Sequence, residues 1–273
     1  MNYIGVTIRT TDNELKEILV AELSSENYYG FQEEQESLKA FVNEDEFDEE
    51  VLRLVLNDHH LNYTINTIAE QNWNQLWESN FEPITVDDFV GVRASFHQPI
   101  ENVQHEIIIT PKMSFGTGHH ATTWMMMKEM QSLDFNNKSV FDFGTGTGIL
   151  AILAEKLGSN EVLAVDYDDW CIQNATENLE TNDCKKIILM KGDTANVLQQ
   201  FDIILANINR NIIEDNFQFL SQNLVKNGQL LISGLLNEDE EPIKQQLDNY
   251  KLKHLNTLHR SGWIAIRCVN NNS

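Results

Sequence analysis

The chain has 273 residues, 41% of them hydrophobic, four prolines and a formal net charge of −23, which describes a globular protein of one or two domains. So acidic a surface repels nucleic-acid phosphate and anionic membrane and attracts basic partners, so free nucleic acid and membrane are excluded as expected partners. The N-terminus lacks a signal-peptide pattern, and Cys171, Cys184 and Cys268 are an odd set without metal-ligand spacing, which fits a reducing, cytoplasmic setting.

Ile4, Val6 and Ile8 alternate with polar residues at strand period. Thr11-Asp12-Asn13-Glu14 matches a capping box, and Leu15, Ile18, Leu19 and Leu23 form the apolar stripe of the helix it opens. Tyr28 to Phe31 and Leu38 to Val42 read as two strands joined by a turn. Phe47, Val51, Leu54 and Val55 make a second helical stripe, and Leu61, Tyr63 and Ile65 a closing strand. The order β-α-β-β-α-β over residues 1–68 predicts a small α+β ferredoxin-like domain. It carries no glycine loop, histidine cluster or nucleophile signature, and so reads as a substrate-recognition module. Acidic runs such as Glu44-Asp45-Glu46 are either a solvated face or a docking surface for a basic protein. Residues 69–83 read as a linker helix, on which Trp73, Trp77 and Phe81 share one face that packs against a neighbouring domain.

From residue 84 to 273 the pattern changes to α/β. After a β-rich lead-in at Val90–Ala94 and Glu106–Ile109, strands at 139–143, 161–165, 186–191, 201–206 and 229–233 are separated by helical patterns. Lys251 to His259 and Trp263 to Val269 follow without room for a helix between them, and read as an antiparallel pair. A Rossmann-like, mostly parallel sheet places its ligand beyond the C-terminal ends of the strands, at the switch point. There the strand Val140–Phe143 runs into Gly144-Thr145-Gly146-Thr147-Gly148 and then Ile149-Leu150. Glycines let the backbone approach a ligand, and the following helix N-terminus offers free N–H groups. The dinucleotide fingerprint G-x-G-x-x-G is not met, because its sixth position is Ile149. Asp142, two residues before the first glycine, would repel a pyrophosphate and attract an ammonium or sulfonium group. S-adenosyl-L-methionine offers both cations.

Asp166 ends the next strand about 20 residues beyond the glycine loop, placed either for ribose hydroxyls or to cap the following helix. Asp193, in Lys191-Gly192-Asp193, has two readings, a contact to an adenine amino group or a turn residue. Thr123 can cap the helix through Met125 to Met130 or hold a cofactor carboxylate. Asn207 ends the fourth strand, where its amide can orient an incoming amine or cap the helix near Arg210. The sequence Asn207-Ile208-Asn209-Arg210 lacks the proline and aromatic residue that grip a planar NH2 group, so an aliphatic amine suits it better. His119 and His120 have no cysteine or acidic ligands at suitable spacing, and no metal is expected.

Phe115-Gly116-Thr117-Gly118-His119-His120-Ala121-Thr122-Thr123, the Asp142–Gly148 turn, Leu205-Ala206-Asn207-Ile208, Asn72-Trp73-Asn74 and Trp77-Glu78 together resemble the bacterial methyltransferases of large-subunit ribosomal protein eleven, the PrmA family. The resemblance covers nearly the whole chain. It implies the class I fold, S-adenosyl-L-methionine as cofactor, and methylation of amines on that basic ribosomal protein, the N-terminal α-amine and lysine side chains. It also implies that the N-terminal domain recognises the substrate and that Thr123, Gly144, Asp166 and Asn207 contact the cofactor. With Asp142, Thr145, Gly146 and Asp193 these complete the expected site, in a chain expected to act as a monomer. His119, commonly Thr, and Ala121, commonly Pro, depart from the family pattern. Rival expectations are a class I enzyme acting on another basic protein or structured RNA, and a non-catalytic cofactor-binding protein.

Overall fold

The computed structural model describes residues 3–24, 26–59, 61–68, 81–110 and 118–271. The chain divides into two compact units, Met1–Ser79 and Asn80–Ser273. Trp73 and Trp77 of the expected linker helix, and Phe115 to Thr117 of the histidine-bearing loop, lie outside the described residues.

In the first unit, strands β1 (Tyr3–Arg9), β2 (Gly30–Glu33), β3 (Ser37–Asn43) and β4 (Tyr63–Ile68) form an antiparallel sheet in the order β2-β3-β1-β4. The helices Asn13–Ser24 and Glu49–Asp58 fall between β1 and β2 and between β3 and β4, which gives the expected β-α-β-β-α-β order. At the start of the first helix, Asp12 Oδ1 accepts from the Leu15 N–H at 3.2 Å. Its core face is Leu19 and Leu23, and Ile18 is 43% exposed. The second helix buries Leu52 and Leu56 and leaves Leu54 69% exposed, while Phe47 and Val55 of the expected stripe pack against the same core, so the stripe is shifted rather than lost. Five apolar residues among Val51, Leu52, Leu54, Val55 and Leu56 offer two overlapping stripes of similar hydrophobicity, and packing on the sheet selects between them.

The second unit is built on seven strands: β8 (Ser139–Phe143), β9 (Glu161–Asp166), β10 (Ile187–Lys191), β11 (Phe201–Asn207), β12 (Leu224–Leu236), β13 (Leu252–Arg260) and β14 (Trp263–Asn270). Their order is β10-β9-β8-β11-β12-β14-β13. The first five are parallel, and β14 runs antiparallel to both β12 and β13. This is the mostly parallel sheet with an antiparallel C-terminal pair that the sequence predicts. Strand order reverses between β8 and β11, so their C-terminal ends open a crevice there.

Apolar side chains alternate to both faces, the pattern of a sheet covered on each side. Val140, Val162, Ala164, Ile203 and Leu205 share one core with the helices Ala121–Met130 and Ile149–Lys156. Phe141, Phe143, Ile204, Ala206 and Ile232 share the other with the helices Arg210–Gln222 and Glu240–Asn249. A separate three-stranded sheet of β5 (Ile84–Val86), β6 (Val90–Ala94) and β7 (His105–Ile109), in that order, joins the first core. Phe81 is buried in that same core. Among the described residues no helix is long and apolar enough to cross a membrane.

Candidate active site

The glycine turn is stitched to the end of β9. Gly144 and Thr145 donate their N–H groups to the Val165 carbonyl at 2.8 and 3.0 Å, and Gly146 donates to Asp166 Oδ2 at 2.8 Å. Gly144, Gly146 and Gly148 have φ of 77°, 55° and 80°, the left-handed region that favours glycine. Gly148 is the N-cap of the helix Ile149–Lys156 and has no side chain to satisfy the helix N–H groups, which leaves that end polar.

Asp142 is fully buried beneath the turn. Its Oδ2 accepts from the Thr145 hydroxyl at 2.6 Å, whereas its Oδ1 is buried with no hydrogen-bond partner. Burial, above all, pushes the Asp142 carboxyl up to about 7, and the nearby charge of Asp166 adds to the rise. Asp166 remains at the cleft wall, its Oδ1 accepting from the Asp168 N–H at 3.1 Å. The helix after β9 is capped instead by Asp168, which accepts from the Trp170 N–H at 2.7 Å, so Asp166 is not spent as a cap.

Asn207 ends β11 with 7% of its surface exposed. Its Nδ2 donates to Thr123 Oγ1 at 3.2 Å, and its Oδ1 is buried without a partner. Neither residue caps a helix. The cap before Ala121 is His120, whose Nδ1 accepts from the Thr122 N–H at 3.4 Å, and the helix after β11 starts from Asn209. Thr123 sits inside the Ala121–Met130 helix, fully buried, where it anchors the Asn207 amide. Ala121 is the first residue of that helix, a position where proline is also favoured. His119 lies edge-on to Phe81 at 4.7 Å and bonds the Glu82 carbonyl at 3.0 Å.

These groups meet at a cleft of about 800 Å³ across the C-terminal ends of β8, β9, β11 and β12. Of the expected site residues, Gly144, Gly146, Asp166, Asp193 and Asn207 line it. Asp142, Thr145 and Thr123 lie behind its wall, buried and bonded to residues of the turn or to Asn207. Asp193 is exposed at the mouth. The charged side chains on the lining are Asp166, Asp168, Asp193 and Asp215; no lysine or arginine is among the described lining residues. Sequence reasoning did not anticipate Gly234 or Trp263 in this wall. Gly234 has φ of 89°, and a Cβ there would overlap the Ile208 carbonyl oxygen. Its only sequence signal is a glycine at the end of a strand.

The sequence profile of the ribosomal protein L11 methyltransferase (PrmA) family matches residues 2–271. A ribosomal protein L11 methyltransferase of Porphyromonas gingivalis is 38% identical over 92% of this chain and 89% of its own. That of Phocaeicola vulgatus is 35% identical over 98% of this chain and 99% of its own. Among solved structures, a ribosomal protein L11 methylase from Lactobacillus delbrueckii subsp. bulgaricus superimposes with a TM-score of 0.65 at 30% identity, covering 70% of this chain and all of that one. The fold is that of the class I S-adenosylmethionine-dependent methyltransferases. With a profile match along nearly its whole length, relatives that align end to end, and a shared fold, this chain belongs to the ribosomal protein L11 methyltransferase (PrmA) family.

Proposed function

We propose that this chain transfers methyl groups from S-adenosyl-L-methionine to amines of ribosomal protein L11, its N-terminal α-amine and lysine side chains. The observation that carries the reading is the Asn207 amide. Its Nδ2 is tied to Thr123, and its buried Oδ1 has no partner while the residue lines the cleft. A buried unpaired acceptor is costly, and an amine N–H is a donor of the right kind to satisfy it. The names of the relatives supply the substrate protein, and a cleft lined by aspartates, with no lysine or arginine among its described lining residues, suits a basic one.

The unpartnered Asp142 Oδ1 and the wall of glycine backbone fit the expected cofactor. Asp142 would balance its cationic end, Gly144 and Gly146 would face it with backbone, and Asp166 would accept from ribose hydroxyls. Asp193 would meet the adenine amino group. When bound, the cofactor supplies an electrophilic methyl group on a positively charged sulfur. Thr145 holds Asp142, and Thr123 holds Asn207, so both orienting groups are fixed before substrate arrives. Asn207 orients the acceptor nitrogen and excludes water from one side of it. Alignment of this kind is the main source of rate when little covalent work falls to the protein.

The amine must be neutral to attack. At pH 7 this costs about 4.6 kcal/mol for an ordinary lysine and about 1 kcal/mol for an α-amine. The α-amine is therefore the easier acceptor, and desolvation in the cleft lowers either cost. Peptide mapping after incubation with labelled cofactor and purified L11 tests the assignment. Label on the α-amine and lysines is expected; label on glutamine, carboxylate or ribosomal RNA with the amines unmodified overturns it.

A further inference from the structure

The wall of the cleft beyond Asn207 has an aromatic member that the methyltransferase fold alone does not explain. Asn207 pairs with Ser233 across β11 and β12, and Ser233 pairs with Ala265 across β12 and β14. Trp263 stands two residues before Ala265, at the end of β14 that borders the same crevice, and it lines the cleft together with Asn207 and His120. Its ring is held by His120, with centroids 4.8 Å apart and planes at 72°. A perpendicular contact occupies at most one face of an indole. His120 is itself fixed by Thr122, 2.7 Å from His120 Nδ1 to the hydroxyl. On the far side of the same hairpin turn, Arg260 lies 3.8 Å over the ring of Trp124, so the hairpin is clasped to the Ala121–Met130 helix at two places. Trp263 is thereby a preorganised ring rather than a loose one.

Burial lowers the pKa of His120, which disfavours a second cation beside the indole. No lysine or arginine is among the described lining residues. The π face therefore has no resident cation from the cleft wall, in a site that already collects negative charge.

We propose that Trp263 is a catalytic residue on the acceptor side, whose indole stabilises the positive charge that builds on the attacking nitrogen. This rests on the amine-acceptor reading above. In the step, the lone pair of a neutral amine forms the new N–CH3 bond. The electron pair of the breaking S–CH3 bond returns to sulfur, which leaves as a neutral thioether. Nitrogen thus goes from neutral to cationic while Trp263 stays neutral, and the ammonium later gives a proton to water. An aromatic face attracts such a charge more strongly in the transition state than in the neutral ground state. It offers no comparable gain to a carboxylate acceptor, which passes from anion to neutral.

Fluorination tests this without changing the ring's shape. Mono-, di- and trifluorotryptophan are placed at position 263 by amber suppression, and single-turnover methylation of L11 is measured alongside cofactor binding. The rate should fall stepwise with each fluorine, reaching a loss of about threefold to thirtyfold, with cofactor affinity within twofold of the parent. Trp263→Leu should lose at least as much rate and retain cofactor binding. A rate independent of fluorination, in a protein that methylates L11 amines, overturns the role of Trp263 and leaves the amine assignment standing. A loss of cofactor affinity that accounts for the whole rate loss also overturns it. If the unsubstituted protein leaves the L11 amines unlabelled, both the amine reading and this inference fall together.

Discussion

Asp142 is the residue whose titration should be visible in binding. Its carboxyl is raised to about 7 by burial, against an ordinary value near 3.9 in the unfolded chain. The native state therefore holds more protons than the unfolded one between these values, and this group's contribution to stability falls as pH rises through that window. A cation held beside the unpartnered Oδ1 reverses the bias and favours the carboxylate. Cofactor binding at pH 6.5 should then release a fraction of a proton, approaching one as pH falls further below 7, and affinity should rise toward a plateau near pH 8. Calorimetry in buffers of different ionisation enthalpy reads this directly, and Asp142→Asn should abolish the dependence. An enthalpy independent of buffer would remove Asp142 from the cationic end. At Asp166 the expectation is simpler: Asp166→Ala should weaken cofactor binding by about 1–3 kcal/mol, the usual loss for a buried hydrogen-bonding group. Unchanged affinity would sink the ribose assignment. Asn207→Ala should lower kcat more than it weakens the cofactor, because its proposed role is alignment of the acceptor.

At the scale of elements, the crevice depends on a place where two backbones nearly touch. Gly234 on β12 passes so close to the Ile208 carbonyl that a Cβ would overlap it, and its φ is 89°. Gly234→Ala must therefore shift the Asn207–Asn209 segment or strain β12. It should destabilise the second unit by about 2–4 kcal/mol, a melting-point drop of about 5–10 °C, and lower kcat through Asn207. A melting curve and activity matching the parent would show that this segment is not packed as described. The strands around this crevice were legible in the sequence, because buried parallel strands read as short apolar runs ended by glycine or aspartate. The place of Asp166 at the cleft wall was legible by its distance from the glycine turn. Helix faces in the small unit were not, since Leu52 and Leu54 are equally apolar and only the sheet beneath decides which is buried. Long-range partners were hidden too: Thr123 and Asn207 are 84 residues apart, and no local pattern joins them. The same holds for Asn182, whose side chain bonds both the N–H and the carbonyl of Ile108 from 74 residues away. It bonds the edge strand of the small sheet that the sequence shows only as a β-rich lead-in.

Over the whole molecule, the chain holds two units with separate cores. The first unit packs Ile4, Val6, Leu19, Leu38, Leu52 and Leu56 around one sheet, and the expected cofactor and acceptor groups all belong to the second. A net charge of −23 favours encounter with a basic ribosomal protein and makes it salt-dependent. We assign substrate recognition to the first unit, which gives a division that truncation can expose. The cut should fall before Phe81 rather than at Ile84, because Phe81 is buried in the second core, and loss of a buried phenylalanine costs about 3–5 kcal/mol. A fragment spanning Asn80–Ser273 should therefore fold and bind S-adenosyl-L-methionine with the affinity of the full chain. It should methylate intact L11 far more slowly, chiefly through a raised KM, while short amine-bearing peptides lose much less. The full chain's KM for L11 should rise with salt, and the fragment's should respond weakly. If the fragment methylates intact L11 at the full-length rate and with the same salt dependence, the first unit has no part in recognition. The acidic cleft of the second unit would then be the surface that selects the substrate.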